Sequence, residues 1–249
     1  MPLGANPNPV ALITGAARRV GAQIARTLHG AGYDVALHYR SSRADLDALI
    51  AELESARADS TLALQADLTD SAHLPKLIED TVARFGKLDA LVNNAATFHP
   101  TPFGTITAQQ CDEFFATNAR APLLLAQAAA ARLQHSRGSI VNIIDIYAQH
   151  PLPGYLPYCV SKAALAMATI ALAQQLGPDV RVNGVAPGNV LWSEQPVKDQ
   201  TMATILQRTA LKRQGSPQDI AGAVLWLLRD ATYVTGQILR VDGGRGLSI

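Results

Sequence analysis

The sequence predicts a single-domain, Rossmann-type α/β fold, in which helices flank a doubly wound parallel β-sheet. Short apolar runs alternate with helix-like stretches along the chain, and this order is typical of buried parallel strands joined by helices. A Gly-rich turn, TGAARRVG, follows the first apolar run and opens the first helix-like stretch. The chain has 249 residues, of which 48% are hydrophobic, so it can bury one substantial core. We expect one domain over 1–249, with a cofactor part at about 8–145.

Each apolar run is short and bounded by polar or turn-forming residues, as strands of a buried sheet are. The predicted strands are 10–15, 34–39, 61–67, 88–95, 138–144, 180–187 and 237–243. The stretches between them, several of them Ala-rich, are predicted to be helices. They cover about 19–30, 43–57, 71–85, 108–133, 156–176, 199–208 and 217–229. The connection at about 187–217 is unusually long, and we predict a substrate loop there.

The turn after the first strand has the features of a dinucleotide-binding turn. Gly15 permits a tight turn, and the following helix points backbone N–H groups at a pyrophosphate. Arg19 and Val20 open that helix. A cation in the first helical turn is disfavoured by the helix dipole, so we expect an anion close to Arg19. These residues are predicted to bind the cofactor.

The end of the second strand favours NADP(H) over NAD(H). An NAD site places an acidic residue there to bind the ribose 2′-hydroxyl, whereas a 2′-phosphate needs basic groups and hydroxyls. His38, Tyr39, Arg40 and Ser41 stand at this position. An ordinary polar turn is the alternative interpretation.

Further cofactor contacts are predicted at the next two strand ends, since ligands of doubly wound sheets bind at the carboxyl ends of the strands. Asp67 could bond the adenine amine beside Leu68, or it could cap the following helix. Asn94 precedes Ala95 and Ala96, whose small side chains let backbone approach a ligand. A structural role for the asparagine is at least as plausible.

Tyr158 and Lys162 lie one helical turn apart and are predicted to form a proton donor, because a nearby ammonium lowers the phenol pKa from near ~10. Asp145 ends the preceding strand and is the third predicted member, unless it is only a turn former. An ionised carboxylate cannot donate a hydrogen bond to a ketone. Asp145 therefore favours a nitrogen-rich heterocycle that donates hydrogen bonds itself, unless the carboxyl is protonated.

Three more residues have both structural and functional interpretations. Asn118 could bend its helix and hold a water linked to Lys162, although Pro122 offers an ordinary reason for a kink. Phe98 could stack on a ligand or pack in the core. Trp192 could line the substrate site or pack.

These motifs together resemble the short-chain dehydrogenase/reductase family. The resemblance covers essentially the whole chain and rests on the following features: TG-x-x-x-R-x-G, NNA, Asn118 on a long helix, Y-x-x-x-K, the Pro-Gly pair at 187–188 and the terminal VDGG. Asp145 and Arg19, where most members carry Ser and Gly, resemble the pteridine reductase branch, as do HYRSS, NNAATFHPTPF and APGNVLW.

The resemblance implies a set of roles for individual residues. Asp145, Tyr158 and Lys162 would be catalytic, and Lys162 would also bind the nicotinamide ribose. Arg19 would contact cofactor phosphate and the pterin, while Phe98 would sandwich the pterin against the nicotinamide. Pro187 and Gly188 would lie beside the nicotinamide. Some relatives offer a serine hydroxyl at the position of Ala96, so that contact is lost. Members use NADPH and are commonly homotetramers.

Composition limits the partners. The net charge of +1 gives no electrostatic footprint for nucleic acid or an anionic membrane. The cysteines, Cys111 and Cys159, lack metal-ligand spacing and indicate free thiols in a reducing compartment. No signal sequence and no apolar run near ~20 residues is apparent. We expect a cytoplasmic enzyme without a metal or membrane partner.

The sequence therefore predicts an NADPH-dependent oxidoreductase that reduces a small pterin or folate substrate to the tetrahydro form. A carbonyl or 3-oxoacyl-thioester reductase is the alternative within the same family. A non-catalytic NADP-binding sensor is a third possibility, but such a protein would be expected to lack Tyr158 or Lys162, and both are present.

Overall fold

The computed structural model describes residues 6–190 and 199–248, and within them the chain forms one parallel sheet. Its strands are β1 Val10–Ile13, β2 Asp34–Tyr39, β3 Thr61–Gln65, β4 Ala90–Asn93, β5 Ser139–Ile143, β6 Arg181–Pro187 and β7 Ile238–Val241. Their spatial order is β3-β2-β1-β4-β5-β6-β7, and all neighbouring pairs are parallel. The order reverses between β1 and β4, which creates the crevice where doubly wound sheets bind ligands. The predicted Rossmann-type fold is confirmed.

Helices cover both faces of the sheet and enclose two large hydrophobic clusters. They are α1 Arg19–Gly30, α2 Arg43–Ala56, α3 Leu74–Phe85, α4 Ala108–Phe115, α5 Ala121–Ser136, α6 Leu156–Leu176, α7 Asp199–Arg208 and α8 Pro217–Arg229. One cluster packs α1, α2 and α8 on the sheet, and the other packs α3, α5 and α6 on the opposite face. Capping boxes at Thr107 and Ser216 fix the starts of α4 and α8.

The structure differs from the sequence prediction at the long helix predicted over 108–133. A π-helical segment, Ala116–Arg120, separates α4 from α5. Such segments are rare and occur mostly as single turns within α-helices, frequently at functional sites. The predicted connection at 187–217 contains α7, and its residues 191–198 lie outside the described part of the chain.

One helix is more apolar than the sequence analysis recognised. Among the described residues, α6 alone is long and apolar enough, by length and composition, to cross a membrane. It has 21 residues and packs against β6, and 56% of its most apolar window is buried inside the fold. These contacts are those of a core helix, and they hold Tyr158 and Lys162 beside the sheet.

Candidate active site

The first turn of the sheet is shaped by glycines that admit no side chain. Gly15 has φ +64°, and a Cβ there would lie 2.9 Å from the Cα of Ala95. A Cβ on Gly21 would lie 2.1 Å from the carbonyl oxygen of Gly15. Glycine is therefore required at both positions for the close packing of this turn, and the turn leads into the start of α1 as phosphate-binding turns do.

His38 anchors this turn instead of contributing a positive charge to a phosphate site. Its Nδ1 accepts from the Gly15 N–H at 3.1 Å, and its Nε2 lies 3.1 Å from the carbonyl oxygen of Ala66. The ring is thus the neutral tautomer with its proton on Nε2. Burial lowers the pKa of His38 to about 4, although the Ala66 carbonyl and Asp67 oppose the shift. The prediction that His38 supplies a basic group for the 2′-phosphate is wrong, because both ring nitrogens are already used.

Asn94 joins two strand ends through its side chain. Its Nδ2 donates to the carbonyl oxygens of Thr14 and Gly15 at 2.9 and 3.0 Å. The Thr14 hydroxyl oxygen accepts in turn from the backbone N–H groups of Asn94 and Ala95. Asn94 therefore has the structural role that was its alternative interpretation, because its side chain binds backbone. Sequence reasoning missed Thr14, whose only signal is its place directly before the Gly-rich turn.

A cavity of about 610 Å³ runs along the carboxyl ends of β1, β2, β3 and β4. Its volume is typical of small-molecule and cofactor sites. Most of the predicted cofactor residues line it together: Gly15, Arg19, Val20, His38, Tyr39, Arg40, Ser41, Asp67, Leu68, Asn94, Ala95 and Ala96. Phe98, predicted to bind substrate, is also in the wall, and sequence reasoning missed the lining residues His99, Glu113 and Thr117. The turn, the strand ends and Phe98 thus form one continuous site.

Arg19 has an unusual backbone conformation for a residue other than glycine. Its φ is +55°, in the left-handed region that costs an L-residue roughly 1–2 kcal/mol. Strain of this kind clusters at ligand sites, where surrounding interactions maintain it. The strained backbone and the position of Arg19 in the cavity wall both support a ligand-binding role.

The end of β2 presents basic and hydroxyl groups to the cavity. Arg40 is exposed there beside Ser41 and Ser42, with no acidic residue at these positions. Arg43, a residue that sequence reasoning missed, donates to the Tyr39 hydroxyl at 3.2 Å and pairs with Asp47 at 2.8 Å. Apart from His38, the pattern predicted for a 2′-phosphate is present.

Asp67 forms a turn at the end of β3. Its Oδ1 accepts from the backbone N–H and the hydroxyl of Thr69 at 2.9 and 2.8 Å. Those two bonds lower the pKa of Asp67. The helix N-cap is instead Asp70, whose side chain accepts from the N–H of Ala72, so Asp67 is not the helix cap that the alternative interpretation suggested.

The three predicted catalytic residues meet at the carboxyl end of β5. The Tyr158 hydroxyl donates to Asp145 Oδ2 at 2.6 Å, and Asp145 Oδ1 accepts from the N–H of Tyr147 at 2.9 Å. Lys162 is buried and donates through Nζ to the carbonyl oxygen of Ile143 at 2.8 Å. Both carboxylate oxygens of Asp145 are acceptors, as suits an ionised group.

Burial dominates the protonation of this cluster. It lowers the pKa of Lys162 to about 8 against the opposing charge of Asp145. Burial raises the pKa of Asp145, although bonds from Tyr147 and Tyr158 and the Lys162 charge oppose it. The pKa of Tyr158 is raised well above its ordinary value by burial and by the adjacent Asp145 charge. The predicted lowering of the Tyr158 pKa by Lys162 is wrong here, because burial and the Asp145 carboxylate raise that pKa and the Lys162 ammonium donates to the Ile143 carbonyl instead.

Asn118 acts in the structure as a brace between three segments. Its Oδ1 accepts from the Thr97 N–H at 2.8 Å, and its Nδ2 donates to the Thr97 carbonyl and to Ser161 Oγ, each at 3.0 Å. Ser161 donates to the backbone carbonyl of Tyr158 at 2.7 Å. Asn118 therefore ties the π-helical segment to α6, the helix that carries Tyr158. Sequence reasoning missed Ser161, although it precedes Lys162 directly.

Phe98 lies on the surface of the site and not in the core. Its side chain is 47% exposed. The ring stacks on Tyr155 at a centroid distance of 4.7 Å and meets Tyr158 edge-on at 4.7 Å. Phe98 thus lies in the cavity wall and also contacts Tyr158 and Tyr155.

The residues that line this cavity do not include the predicted cofactor residues Pro187 and Gly188, nor the predicted catalytic residues Asn118, Asp145, Tyr158 and Lys162. Pro187 ends β6, and the Gly188 N–H donates to the carbonyl oxygen of Val241. A Cβ on Gly188 would lie 2.7 Å from the Cα of Asp242, so glycine is needed for this close approach. Trp192 lies outside the described residues.

Comparisons with known proteins agree with this architecture. Residues 15–245 match the family model described as enoyl-(acyl carrier protein) reductase. Pteridine reductase 1 of Leishmania tarentolae is 34% identical over 96% of this chain and 97% of its own. A putative ketoacyl reductase of granaticin polyketide synthesis from Streptomyces violaceoruber is 36% identical, over 96% of each chain. The 3-oxoacyl-(acyl-carrier-protein) reductase FabG of Staphylococcus aureus strain N315 is 33% identical over 94% of this chain and 96% of its own.

Proposed function

The chain belongs to the short-chain dehydrogenase/reductase family of oxidoreductases, and on that premise we propose that it is an NADPH-dependent reductase of pteridines. The proposed reaction takes a dihydropterin or dihydrofolate to the tetrahydro form. One observation carries the proposal: the proton donor Tyr158 is held by a carboxylate, Asp145, at 2.6 Å. A carboxylate beside the proton donor suits a substrate that donates hydrogen bonds, as a pterin ring does.

The cavity fits a dinucleotide, because the Gly15 turn, the start of α1 and the ends of β2, β3 and β4 all line it. The N–H groups at the start of α1 would bind the pyrophosphate, and Arg40 with Ser41 would bind the 2′-phosphate. Hydride for a carbon of the substrate ring would come from NADPH bound by these residues. The chain's residues then have to position the ring and supply a proton.

Tyr158 is proposed to give its hydroxyl proton to the ring nitrogen beside that carbon. The raised pKa of the phenol keeps the proton on Oη until substrate is in place. Lys162, with a pKa of about 8, is mostly charged at neutral pH and would stabilise the phenolate that remains. Asp145 orients the phenol beforehand and can accept hydrogen bonds from the heterocycle.

Aromatic side chains support a flat substrate. Phe98 presents a half-exposed ring beside Tyr158, and aromatic rings stack favourably on planar ligands. The strained Arg19 lies in the same wall. We propose that Phe98 forms one face of the pterin site and that Arg19 contacts the ring and the cofactor phosphate.

A 3-oxoacyl-thioester reductase is the second candidate function. Burial raises the pKa of Asp145, and a protonated carboxyl could donate a hydrogen bond to a ketone oxygen. The two bonds that Asp145 accepts, from Tyr158 and the Tyr147 N–H, favour the ionised form and hence the pterin.

Oxidation of NADPH, followed by absorbance with dihydrobiopterin, dihydrofolate and acetoacetyl thioester in parallel, tests the proposal. We expect turnover of at least one pterin at a higher kcat/KM than the thioester. Turnover of the thioester alone would overturn the pterin assignment and support the second candidate.

We also propose that the protein is a homotetramer. Large apolar side chains are exposed on two separate surfaces. Leu123, Met167 and Ile170 lie on α5 and α6, and Trp226 and Leu239 lie on α8 and β7. Two such surfaces would bury their apolar area against copies of the chain. Native mass spectrometry showing a monomer would contradict this proposal.

A further inference from the structure

A chain of buried hydrogen bonds joins the ring proposed to face the substrate to the helix of the proposed proton donor. Asn118 and Ser161 are both 0% exposed. Nδ2 of Asn118 donates to Oγ of Ser161 at 3.0 Å, and that hydroxyl donates to the carbonyl oxygen of Tyr158 at 2.7 Å. At its other end Asn118 bonds both backbone groups of Thr97, the residue before Phe98. Ser161 is thus the hydroxyl through which this chain reaches Tyr158.

The hydroxyl of Ser161 makes a bond that α6 does not need for its own backbone. Within an α-helix the carbonyl of Tyr158 already faces the N–H four residues later, and α6 runs without a break over Leu156–Leu176. A serine that bonds back to its own helix slightly destabilises it, so helix formation does not explain the bond. The bond ties the first turn of α6 to the π-helical segment. In that turn the Tyr158 ring meets Phe98 edge-on at a centroid distance of 4.7 Å.

A second chain of the same chemistry lies further along α6 and provides a comparison. Thr169 is 0% exposed. Its Oγ1 accepts from Nδ2 of Asn142 at 2.9 Å and donates to the carbonyl oxygen of Leu165 at 2.8 Å. Each chain thus consists of an asparagine amide, a helix hydroxyl and a helix carbonyl. The second chain ends on Leu165, a residue of the core, whereas the first ends on the proposed proton donor.

We propose that Ser161 is a positioning residue, which holds the first turn of α6 against the π-helical segment so that Tyr158 and Phe98 keep a fixed separation around the substrate. Complete burial keeps Ser161 away from the substrate itself, so it acts through Tyr158. This inference rests on the proposed function only in taking Tyr158 as the proton donor. It holds for a pterin and for a thioester alike, because either substrate would take its proton from the same phenol.

Steady-state kinetics of Ser161→Ala, with Thr169→Val as the matched control, test the inference with dihydrobiopterin and acetoacetyl thioester in parallel. We expect kcat of Ser161→Ala to fall by about 10- to 100-fold, since a displacement of about 1 Å can cost about 10² in rate, while Kd for NADPH stays unchanged. Thr169→Val should keep its kcat. Both variants should lose Tm to a similar extent, because each leaves an asparagine N–H unpaired in the interior. Equal kcat losses in the two variants, or no loss in Ser161→Ala, would overturn the inference.

The solvent deuterium isotope effect on kcat is a readout that a purely structural role of Ser161 does not change. With the phenol displaced, proton transfer limits the rate more strongly, so the isotope effect should increase in Ser161→Ala and not in Thr169→Val. The same isotope effect in Ser161→Ala as in the unsubstituted enzyme would contradict the positioning role.

Two comparisons with other variants complete the test. Ser161→Ala should add no further loss of kcat to Asn118→Ala, because the two residues act in one chain; additive losses would refute that connection and with it the inference. An unchanged kcat in Tyr158→Phe would instead overturn the proposed proton donor. Loss of kcat in Tyr158→Phe together with an unchanged kcat in Ser161→Ala would overturn the inference about Ser161 alone.

Discussion

Acidification should destabilise this protein through His38, the imidazole that holds the Gly15 turn. The structure lowers the pKa of His38 from 6.5 to about 4. Between these values the unfolded chain binds the proton and the folded chain does not, so the unfolding free energy falls as the pH falls from 6.5 to 4. This shift corresponds to about 3 kcal/mol at 1.36 kcal/mol per pH unit.

Cofactor binding should weaken in the same pH range. Nδ1 of His38 accepts from the Gly15 N–H, and a protonated imidazole has no acceptor. The turn that would bind the pyrophosphate then loses its anchor. We expect NADPH affinity and the unfolding free energy to decrease together below pH 6.

Urea denaturation of the unsubstituted protein and of His38→Asn, at several pH values between 7 and 4, measures the effect. Asn can still accept from the Gly15 N–H but does not titrate in this range, so the variant retains only the acid sensitivity of the other groups. The difference in pH slope between the two proteins isolates His38. Parallel pH profiles for the two proteins would show that folding does not hold His38 in its neutral form.

Three further substitutions test the site. Tyr158→Phe should lower kcat by about 10²- to 10⁴-fold, the usual contribution of a positioned acid, with the Kd for NADPH unchanged; an unchanged kcat would remove Tyr158 from the mechanism. Arg40→Asp should lower the preference for NADPH over NADH by about 10- to 100-fold, since a charge-assisted bond to phosphate is lost; equal preference in both proteins would contradict the assignment of the β2 end. Arg19→Gly should relieve up to about 1 kcal/mol of backbone strain and leave Tm no lower, while KM for the pterin rises about tenfold; an unchanged KM would exclude Arg19 from the substrate site.

The fold was predictable because its signals are local. Each buried strand is a short apolar run, and the Gly-rich turn follows the first of them, as the structure confirms. The break at Ala116–Arg120 was not predictable in the same way. Asn118 bonds to Thr97 and Ser161, which are distant in sequence, so no local pattern marks the π-helical segment.

The polar contacts and pKa shifts of the site were harder to predict than the identity of the residues that form it. Spacing on a helix indicates that Tyr158 and Lys162 share a face, but it gives no distances between their polar atoms. In the structure Lys162 turns to the Ile143 carbonyl, while Asp145 contacts the phenol directly. The prediction for His38 failed for a similar reason, because burial beneath the Gly15 turn, and not the neighbouring polar residues, sets its charge.

Transfer of deuterium from NADPH labelled at the nicotinamide C4 tests the central claim most directly. The enzyme would be incubated with dihydrobiopterin, dihydrofolate and acetoacetyl thioester together, and the products analysed by mass spectrometry. The account predicts deuterium in a tetrahydropterin or tetrahydrofolate, with the label lost when Tyr158 is replaced by Phe. Deuterium found only in the hydroxyacyl thioester would contradict the account.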